Sequence, residues 1–242
     1  MKEEKIYLYG RHALAEALAT KPKAVKKVFL SAAAADTSDI KKLLATHNIT
    51  PSAMKGDGKA GDDAVHQGVI AEISQEALYA PLDETLEVLA GKDNPLVVIL
   101  DELHDPHNVG AIIRSAAAFG ASAVIIPEHN QSPITGTVIK TSAGMVFRIP
   151  IVRVGNTNQT IRTLKDQKFW VYGLVMEGTT ALHIAQFDTP TAIVVGNESA
   201  GIREKTLELC DVTLSIPMQP GCESLNASVA ASVVLYEWSR GK

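Results

Sequence analysis

The sequence has few cysteines and no long apolar run, and each scarcity excludes a class of protein. Two cysteines among 242 residues cannot form a disulfide framework, and Cys210 and Cys222 are not spaced as a metal-ligand pair. The longest apolar runs, such as residues 96–100, are too short to span a bilayer. The charged first residues are not followed by an apolar targeting segment with a cleavage site. We therefore predict a protein of the reducing cytoplasm that has no membrane partner.

Several catalytic signatures are also missing. No G-x-G-x-x-G follows the first strand predicted in the C-terminal region, and the chain contains neither a P-loop nor a G-x-S-x-G nucleophile elbow. This argues against a nicotinamide-dependent oxidoreductase, a P-loop nucleotidase and an α/β-hydrolase. His104 and His107 are spaced i, i+3 across a proline without a third ligand, so we predict no metal site.

Charge is distributed unevenly along the chain. The net charge is −4, yet residues 1–60 contain eleven Lys and Arg against six acids, a local excess of five. A basic front end on an acidic chain is typical of a segment that contacts nucleic acid phosphates, although a solvated surface has the same composition.

Residues 1–78 predict a small α/β unit. Strands are expected at 6–9, 25–30 and 68–73, and helices at 11–19 and from Thr37 or Ser38 through His47. The Gly-, Lys- and Asp-rich residues 54–63 indicate a loop. Residues 79–94 form the predicted linker, with a short helix marked by Leu82, Leu86 and Leu89.

From Pro95 to the end, strand and helix signals alternate. Strands are predicted at 96–100, 123–126, 146–152, 170–175, 191–195 and 212–216, and helices at 108–119, 137–143, 158–167, 202–209 and 225–238. The strands are continuously apolar, which is typical of a parallel sheet covered on both faces. Residues 95–242 therefore predict a doubly wound α/β domain, whose ligands bind at the carboxyl ends of its strands.

Three predicted loops at that edge contain polar residues. In the first, we expect Asn108 to cap a helix, Gly110 to permit a close approach, and Arg114 to lie one turn further on. An arginine on a helix also commonly forms only a surface ion pair. In the second, Gly196 directly follows a buried strand and precedes Glu198. This pattern is typical of a ligand-binding loop and also of an ordinary turn.

The third loop follows Ile216, is stiffened by Pro217 and Pro220, and ends at Ser224 and Asn226. Either of these last two side chains can cap the final helix, so each alone has an ordinary structural explanation.

In this order, the three segments resemble the three motifs of the SpoU/TrmH family of SPOUT methyltransferases. They read N-V-G-x-x-x-R at 108–114, G-N-E at 196–198 and I-P-M…S-L-N-x-S at 216–228, and the resemblance covers about residues 95–240. The front unit, which begins Tyr9-Gly10-Arg11-His12-Ala13-Leu14, resembles the family's N-terminal substrate-binding domain.

The resemblance implies a deep trefoil knot, a homodimer with active sites at the subunit interface, and transfer of a methyl group from S-adenosylmethionine to a ribose 2′-hydroxyl of RNA. It implies that backbone groups at Gly196, Ile216, Leu225 and Leu174 hold the cofactor. The catalytic residues carried over from the motifs are Arg114, Glu198, Asn226, Asn108 and Ser224. Because arginine is a poor base, we expect Arg114 to clamp an RNA phosphate and stabilise the developing alkoxide.

The target RNA is less well defined by the motifs. Gly221-Cys222-Glu223-Ser224 lies between the patterns usual for the rRNA and tRNA branches, Ala227 replaces the commoner valine, and Phe147 stands where many rRNA-type relatives have an acid. The front unit favours the rRNA branch and a guanosine of large-subunit rRNA. A tRNA methyltransferase and a non-catalytic RNA-binding or ribosome-assembly factor of the same fold are the alternatives.

Overall fold

The computed structural model describes residues 5–54 and 68–241, which contain a four-stranded sheet and a seven-stranded sheet. None of the helices in these residues combines the length and the hydropathy that a membrane span requires. The predicted loop at 54–63 lies outside the described residues beyond Met54.

The front unit is built on the smaller sheet, whose strand order is β1-β4-β2-β3. Its elements are β1 (Ile6–Tyr9), α1 (Arg11–Thr20), β2 (Val25–Leu30), α2 (Ala32–Ala35), α3 (Ser38–Thr46), β3 (Ser52–Ala53) and β4 (Val69–Ile73). The apolar face of α1, at Ala13, Leu14, Ala17 and Leu18, is buried, as its helical spacing predicts.

The larger sheet has the order β7-β6-β5-β10-β8-β11-β9, and all its pairs are parallel. Its elements are β5 (Leu96–Asp101), α5 (Pro106–Ala118), β6 (Ala123–Pro127), α6 (Gly136–Thr141), β7 (Ile151–Val154), α7 (Thr157–Asp166), β8 (Trp170–Leu174), β9 (Thr180–Ala181), β10 (Thr191–Gly196), α8 (Glu204–Leu207), β11 (Val212–Ser215) and α9 (Ala227–Ser239). Every residue of β5, β6 and β10 is buried, which explains their unbroken apolar sequences. The predicted doubly wound α/β domain is confirmed.

The predicted strand at 146–152 is wrong in its first half. Residues Met145–Phe147 form a 3₁₀ turn after Gly144, which has a left-handed φ of 82°, and the strand begins only at Ile151, after Pro150. Phe147 is apolar because it is buried in the core, not because it belongs to a strand. The helix predicted at 202–209 is also shorter, since regular α-helix is confined to Glu204–Leu207.

The segment between the two sheets packs onto the larger one. Helix α4 (Leu82–Ala90) buries Leu86 and Leu89, and the Ala80 N–H donates to the Ile151 carbonyl at 2.8 Å. The front unit also touches the larger domain. The carboxylate of Glu16 on α1 accepts from the Arg148 guanidinium, and Gly136 on α6 lies against the Tyr7 carbonyl so closely that a Cβ there would be 2.5 Å from the oxygen.

Candidate active site

The second and third motif loops line one cleft at the carboxyl ends of the strands, and the first motif lies beside them, joined to both by hydrogen bonds of Asn108. The walls of the cleft come from the ends of β8 and β10, the loop after β11 and the start of α9. The predicted cofactor-contacting residues Leu174, Gly196, Ile216 and Leu225 all line this cleft, as do Glu198 and Ser224. The topology therefore brings together residues that are far apart in sequence.

Helix α5 begins earlier than predicted, and Asn108 does not cap it. The N-cap is Asp105, whose side chain accepts from the His107 N–H at 2.8 Å, and Pro106 occupies the first helical position. Proline suits that position because its φ is already helical and its missing N–H has no partner there anyway. Asn108 lies in the first turn, where its buried side chain is free to bind groups outside its own helix.

Asn108 connects the second motif to the first. Its Nδ2 donates to Glu198 Oε1 at 3.0 Å, and the Asp105 N–H approaches the same carboxylate oxygen at 3.4 Å. The carboxylate thus lies at the N-terminus of α5, where free backbone N–H groups and the helix dipole favour a negative charge.

Asn226 joins the third motif to the same chain of hydrogen bonds. Its Nδ2 donates to Asn108 Oδ1 at 2.9 Å, while its Oδ1 caps α9 by accepting from the Ser228 N–H at 2.9 Å. Of the two residues that the sequence indicated as possible caps, Ser224 and Asn226, it is Asn226 that caps the last helix. Two hydrogen bonds in series therefore connect the third motif through the first to the second. We call these three side chains, Asn226, Asn108 and Glu198, the relay.

Against the opposing effect of burial, hydrogen bonds from Asn108 and from backbone N–H groups lower the pKa of Glu198. Burial by itself raises the pKa of this carboxyl, but the hydrogen bonds from Asn108 and from backbone N–H groups, including those of His104 and Asp105, outweigh it and hold the pKa below its ordinary value. The folded protein therefore favours the carboxylate over the acid.

This lowered pKa predicts a specific acid sensitivity. The stabilisation is fully present above the pKa of Glu198 in the unfolded chain and is lost as the pH falls through the lower pKa of the folded state. Between about pH 6 and about pH 3, the melting temperature of Glu198→Gln should fall less than that of the wild type. Glu177→Gln is the control, because Glu177 is exposed and makes no hydrogen bond to the described residues. Equal acid slopes for the wild type and Glu198→Gln would contradict the lowered pKa of Glu198.

Gly196 is required by the fold of its own loop. The chain returns over it, with paired backbone hydrogen bonds of 2.9 and 3.0 Å between Asn197 and Gly201. A Cβ at Gly196 would lie 2.3 Å from both the Gly201 carbonyl carbon and the Ile202 nitrogen. The predicted tight turn is therefore present, and its inner wall also faces the cleft.

Arg114 stands apart from the relay and from the cleft lining. It is exposed on α5 and forms no hydrogen bond or ion pair with residues 5–54 or 68–241. Gly110, one turn earlier, packs against α6 so closely that a Cβ would be 2.7 Å from the Thr141 Cβ. Fixed in this way, α5 presents the Arg114 guanidinium to solvent as a free cation.

Two charged residues that support these loops were not predicted from the sequence. Asp101, at the end of β5, is fully buried and accepts from the side chain of Arg203, which follows the second motif. A charged residue that ends a continuously apolar strand was the available signal for Asp101.

No metal site is evident in the described part of the chain, where no three His, Cys, Asp or Glu side chains are grouped to hold an ion. The His107 ring instead lies beside α6, with Nδ1 3.5 Å from the Thr141 hydroxyl.

Comparison with known proteins agrees with this geometry. The sequence profile of the SpoU rRNA Methylase family matches residues 95–236, which include every predicted site residue. A second profile, for RNA 2′-O ribose methyltransferase substrate binding, matches residues 7–79. The chain belongs to the SpoU methyltransferase family. The resemblance inferred from the three motifs is confirmed.

Individual relatives match between 66% and 98% of this chain. The 23S rRNA (guanosine-2′-O-)-methyltransferase RlmB of Photobacterium profundum is 37% identical over 95% of this chain and 95% of its own length. The SpoU methyltransferase AviRb from Streptomyces viridochromogenes, solved in complex with AdoMet, is 27% identical, with a TM-score of 0.82 over 98% of this chain and 90% of its own. The A. aeolicus TrmH/SpoU tRNA modifying enzyme, 28% identical with a TM-score of 0.54, covers 66% of this chain and 81% of its own.

Proposed function

We propose that the protein transfers a methyl group from S-adenosylmethionine to the 2′-hydroxyl of a guanosine in 23S rRNA. The observation that carries the proposal is the relay of Glu198, Asn108 and Asn226, which joins all three motifs beside one cleft. The full-length similarity to an rRNA guanosine-2′-O-methyltransferase supports the substrate.

The cleft fits S-adenosylmethionine, which carries a positively charged sulfonium and no phosphate. Its lining includes Leu174, Val195, Ile216 and Leu225, and the one ionisable side chain that the described residues contribute is the Glu198 carboxylate. No Lys or Arg of the described residues belongs to this lining, so the cleft is suited to a cationic ligand and poorly suited to a nucleotide phosphate. When bound, the group supplies an electrophilic methyl. We propose that backbone groups at Gly196, Ile216, Leu225 and Leu174 hold it.

The protein's own part of the reaction is to position the ribose hydroxyl and to accommodate its developing negative charge. We assign the clamp to Arg114, whose guanidinium is free and can bind phosphate in a bidentate manner. The hydrogen bonds of the relay hold the side chains of Asn108, Glu198 and Asn226 in place. Ser224 lines the cleft from the exposed part of the third loop. These four polar side chains define where the ribose enters.

The substrate also explains the chain's two units. The front unit matches the profile for RNA 2′-O ribose methyltransferase substrate binding, and its eleven Lys and Arg all lie within residues 1–60, so we assign it RNA binding. The boundaries we propose are 1–78 for this unit, 79–94 for the linker and 95–242 for the methyltransferase domain, which we expect to be knotted. The two cysteines are free thiols, which supports our expectation of a cytoplasmic protein.

We further propose that the protein is a homodimer that pairs through α9. This helix is apolar on both faces, since Ala231, Val234 and Leu235 point inward while Val229, Val233 and Tyr236 are 48%, 38% and 54% exposed. A helix that is apolar all round is normally buried on all sides. Helix α5 lies against α9, with Ser115 Oγ 2.7 Å from Ser232 Oγ, so pairing through this face would place Arg114 close to the partner subunit.

A charge on this face should separate the subunits. We expect the wild type to have a mass of about twice 25.8 kDa by light scattering and Val233→Glu to have the monomer mass, because the pairing would bury the new carboxylate. Val88→Glu is the matched control, since Val88 is an exposed valine on α4. A monomeric wild type, or a dimeric Val233→Glu, would rule out pairing through α9.

Incubation of the protein with radiolabelled S-adenosylmethionine and unmodified transcripts tests the substrate. We expect label on 23S rRNA and none on tRNA, and its loss with Arg114→Ala. Label on tRNA would support methyl transfer to RNA but would mean that the front unit binds tRNA rather than rRNA. Cofactor binding without label on naked rRNA, tRNA or ribosomal particles would favour a non-catalytic RNA-binding factor.

A further inference from the structure

A buried carboxylate lies beneath the second motif. Asp101 is the last residue of β5, the strand that pairs with β10 along its whole length, and Asp101 is fully buried. A charge removed from water in this way is strongly destabilising unless it is both paired and hydrogen-bonded. The Asp101 carboxylate therefore needs a cationic partner and hydrogen-bond donors within the fold.

Arg203 supplies the hydrogen bonds that the Asp101 carboxylate accepts. The Arg203 backbone N–H donates to Oδ2 at 3.0 Å, while Nε and Nη2 donate to Oδ1 at 3.0 and 2.5 Å. The remaining terminal nitrogen, Nη1, donates to Glu102 Oε1 at 2.9 Å. One guanidinium thus binds two consecutive carboxylates through donors held in one plane, an arrangement that a lysine ammonium does not reproduce.

The same strand end also holds the beginning of the second motif. The Asn197 side chain donates to the Glu102 carbonyl at 2.7 Å and accepts from the Ser199 and Ala200 N–H groups at 2.9 and 3.0 Å. Glu102 has a φ of 62°, a left-handed conformation that is unusual for a residue other than glycine. The loop 197–203 is therefore pinned at both ends to Asp101 and Glu102.

We propose that Arg203 is a positioning residue for methyl transfer. It is not among the described residues that line the cleft, and the side-chain hydrogen bonds it makes go to Asp101 and Glu102. Instead it fixes the loop 197–203, which contains Glu198 and closes over Gly196, and it thereby sets the cleft wall and the register of Glu198 with Asn108. This inference rests on the proposed function, because it concerns the same site.

The test compares Arg203→Gln with Arg203→Lys and with the double variant Asp101→Asn/Arg203→Gln. Calorimetric titration gives the Kd for S-adenosylmethionine, rRNA assays give kcat and KM, and hydrogen exchange gives the protection of amides 197–203. Arg162→Gln is the control, since Arg162 is exposed on α7 and lies outside the three motif loops.

We expect Arg203→Gln to weaken cofactor binding and to lower kcat by about 100-fold, because small displacements of reacting groups have effects of that size. Amides 197–203 should exchange faster while those of β5 and β10 stay protected, and KM for RNA should change little. The kcat and cofactor affinity of Arg203→Lys should lie between those of the wild type and Arg203→Gln, because lysine keeps the positive charge but lacks the planar donors of the guanidinium. Arg162→Gln should match the wild type.

The double variant separates positioning from stability. Removal of both charges avoids an unpaired buried carboxylate, so its melting temperature should recover relative to Arg203→Gln, while kcat and loop protection stay low. If the double variant binds the cofactor and turns over like the wild type, or if all protection falls together in Arg203→Gln, Arg203 has only a structural role. If the wild type binds S-adenosylmethionine but methylates no RNA, the proposed function fails, and loop exchange and cofactor affinity still decide the role of Arg203.

Discussion

An Arg114→Lys enzyme is expected to turn over at least about 100-fold more slowly than the wild type, with the Kd for S-adenosylmethionine unchanged. Removal of one preorganised donor to a developing oxyanion typically has an effect of about 100- to 1,000-fold on kcat. Lysine keeps the positive charge but cannot form the two parallel hydrogen bonds of a guanidinium to phosphate. Single-turnover methylation of rRNA at saturating cofactor measures the chemical step directly.

The control for this substitution is Arg162→Lys, because Arg162 is exposed on α7 and lies outside all three motif loops. It should methylate rRNA at the wild-type rate. Near-normal turnover by Arg114→Lys would contradict the bidentate clamp and leave Arg114 only an electrostatic role. The change should not affect folding, since Arg114 has no partner within the described residues.

Gly196→Ala is expected to reduce S-adenosylmethionine binding by at least about 100-fold. The obstacle is space rather than the dihedral angle, since Gly196 is not among the glycines with positive φ. The new Cβ would lie 2.3 Å from two backbone atoms, the Gly201 carbon and the Ile202 nitrogen, and backbone cannot rotate away as a side chain can. The loop must move, and the cleft wall moves with it. Isothermal titration of the purified variant measures the loss.

Gly91→Ala provides the matched control. Gly91 ends α4 with a φ of −87°, and a Cβ there would meet its nearest neighbour, the Val88 carbonyl oxygen, at an ordinary 3.8 Å. This variant should bind the cofactor like the wild type. Wild-type affinity in Gly196→Ala would mean that the loop 197–203 can relax without disturbing the cleft, and the steric role of Gly196 would then be wrong.

Local sequence signals predicted the positions of the motif loops but not the bonds between them. Buried strands are continuously apolar, so the residues that follow them could be assigned to the carboxyl edge of a parallel sheet. That β10 pairs with both β5 and β8 depends on chain crossings that no local pattern encodes. The Asp101–Arg203 pair, separated by 102 positions, could be recognised only once those strands were adjacent.

The errors have specific physical causes. Asparagine suits helix caps, which favours Asn108 from the sequence, whereas the preceding Asp105-Pro106 supplies a better start and leaves Asn108 for the relay. Residues 146–152 have the composition of a strand because core-facing turns are as apolar as strands. Gly144 and Pro150 mark the ends of the turn that occupies the first half of the predicted strand. In both places the sequence already contains the competing signal.

The site of methylation on RNA is the most direct test of the proposed function, which places the methyl group on the ribose oxygen of a guanosine in 23S rRNA. Chromatography and mass spectrometry of nucleosides from rRNA treated with the protein and S-adenosylmethionine separate 2′-O-methylguanosine from the base-methylated guanosines of equal mass. We predict 2′-O-methylguanosine at one position of the transcript, abolished when that residue is a 2′-deoxyguanosine. A base-methylated guanosine, or methylation that persists on the deoxy substrate, would contradict ribose 2′-O-methylation by this protein.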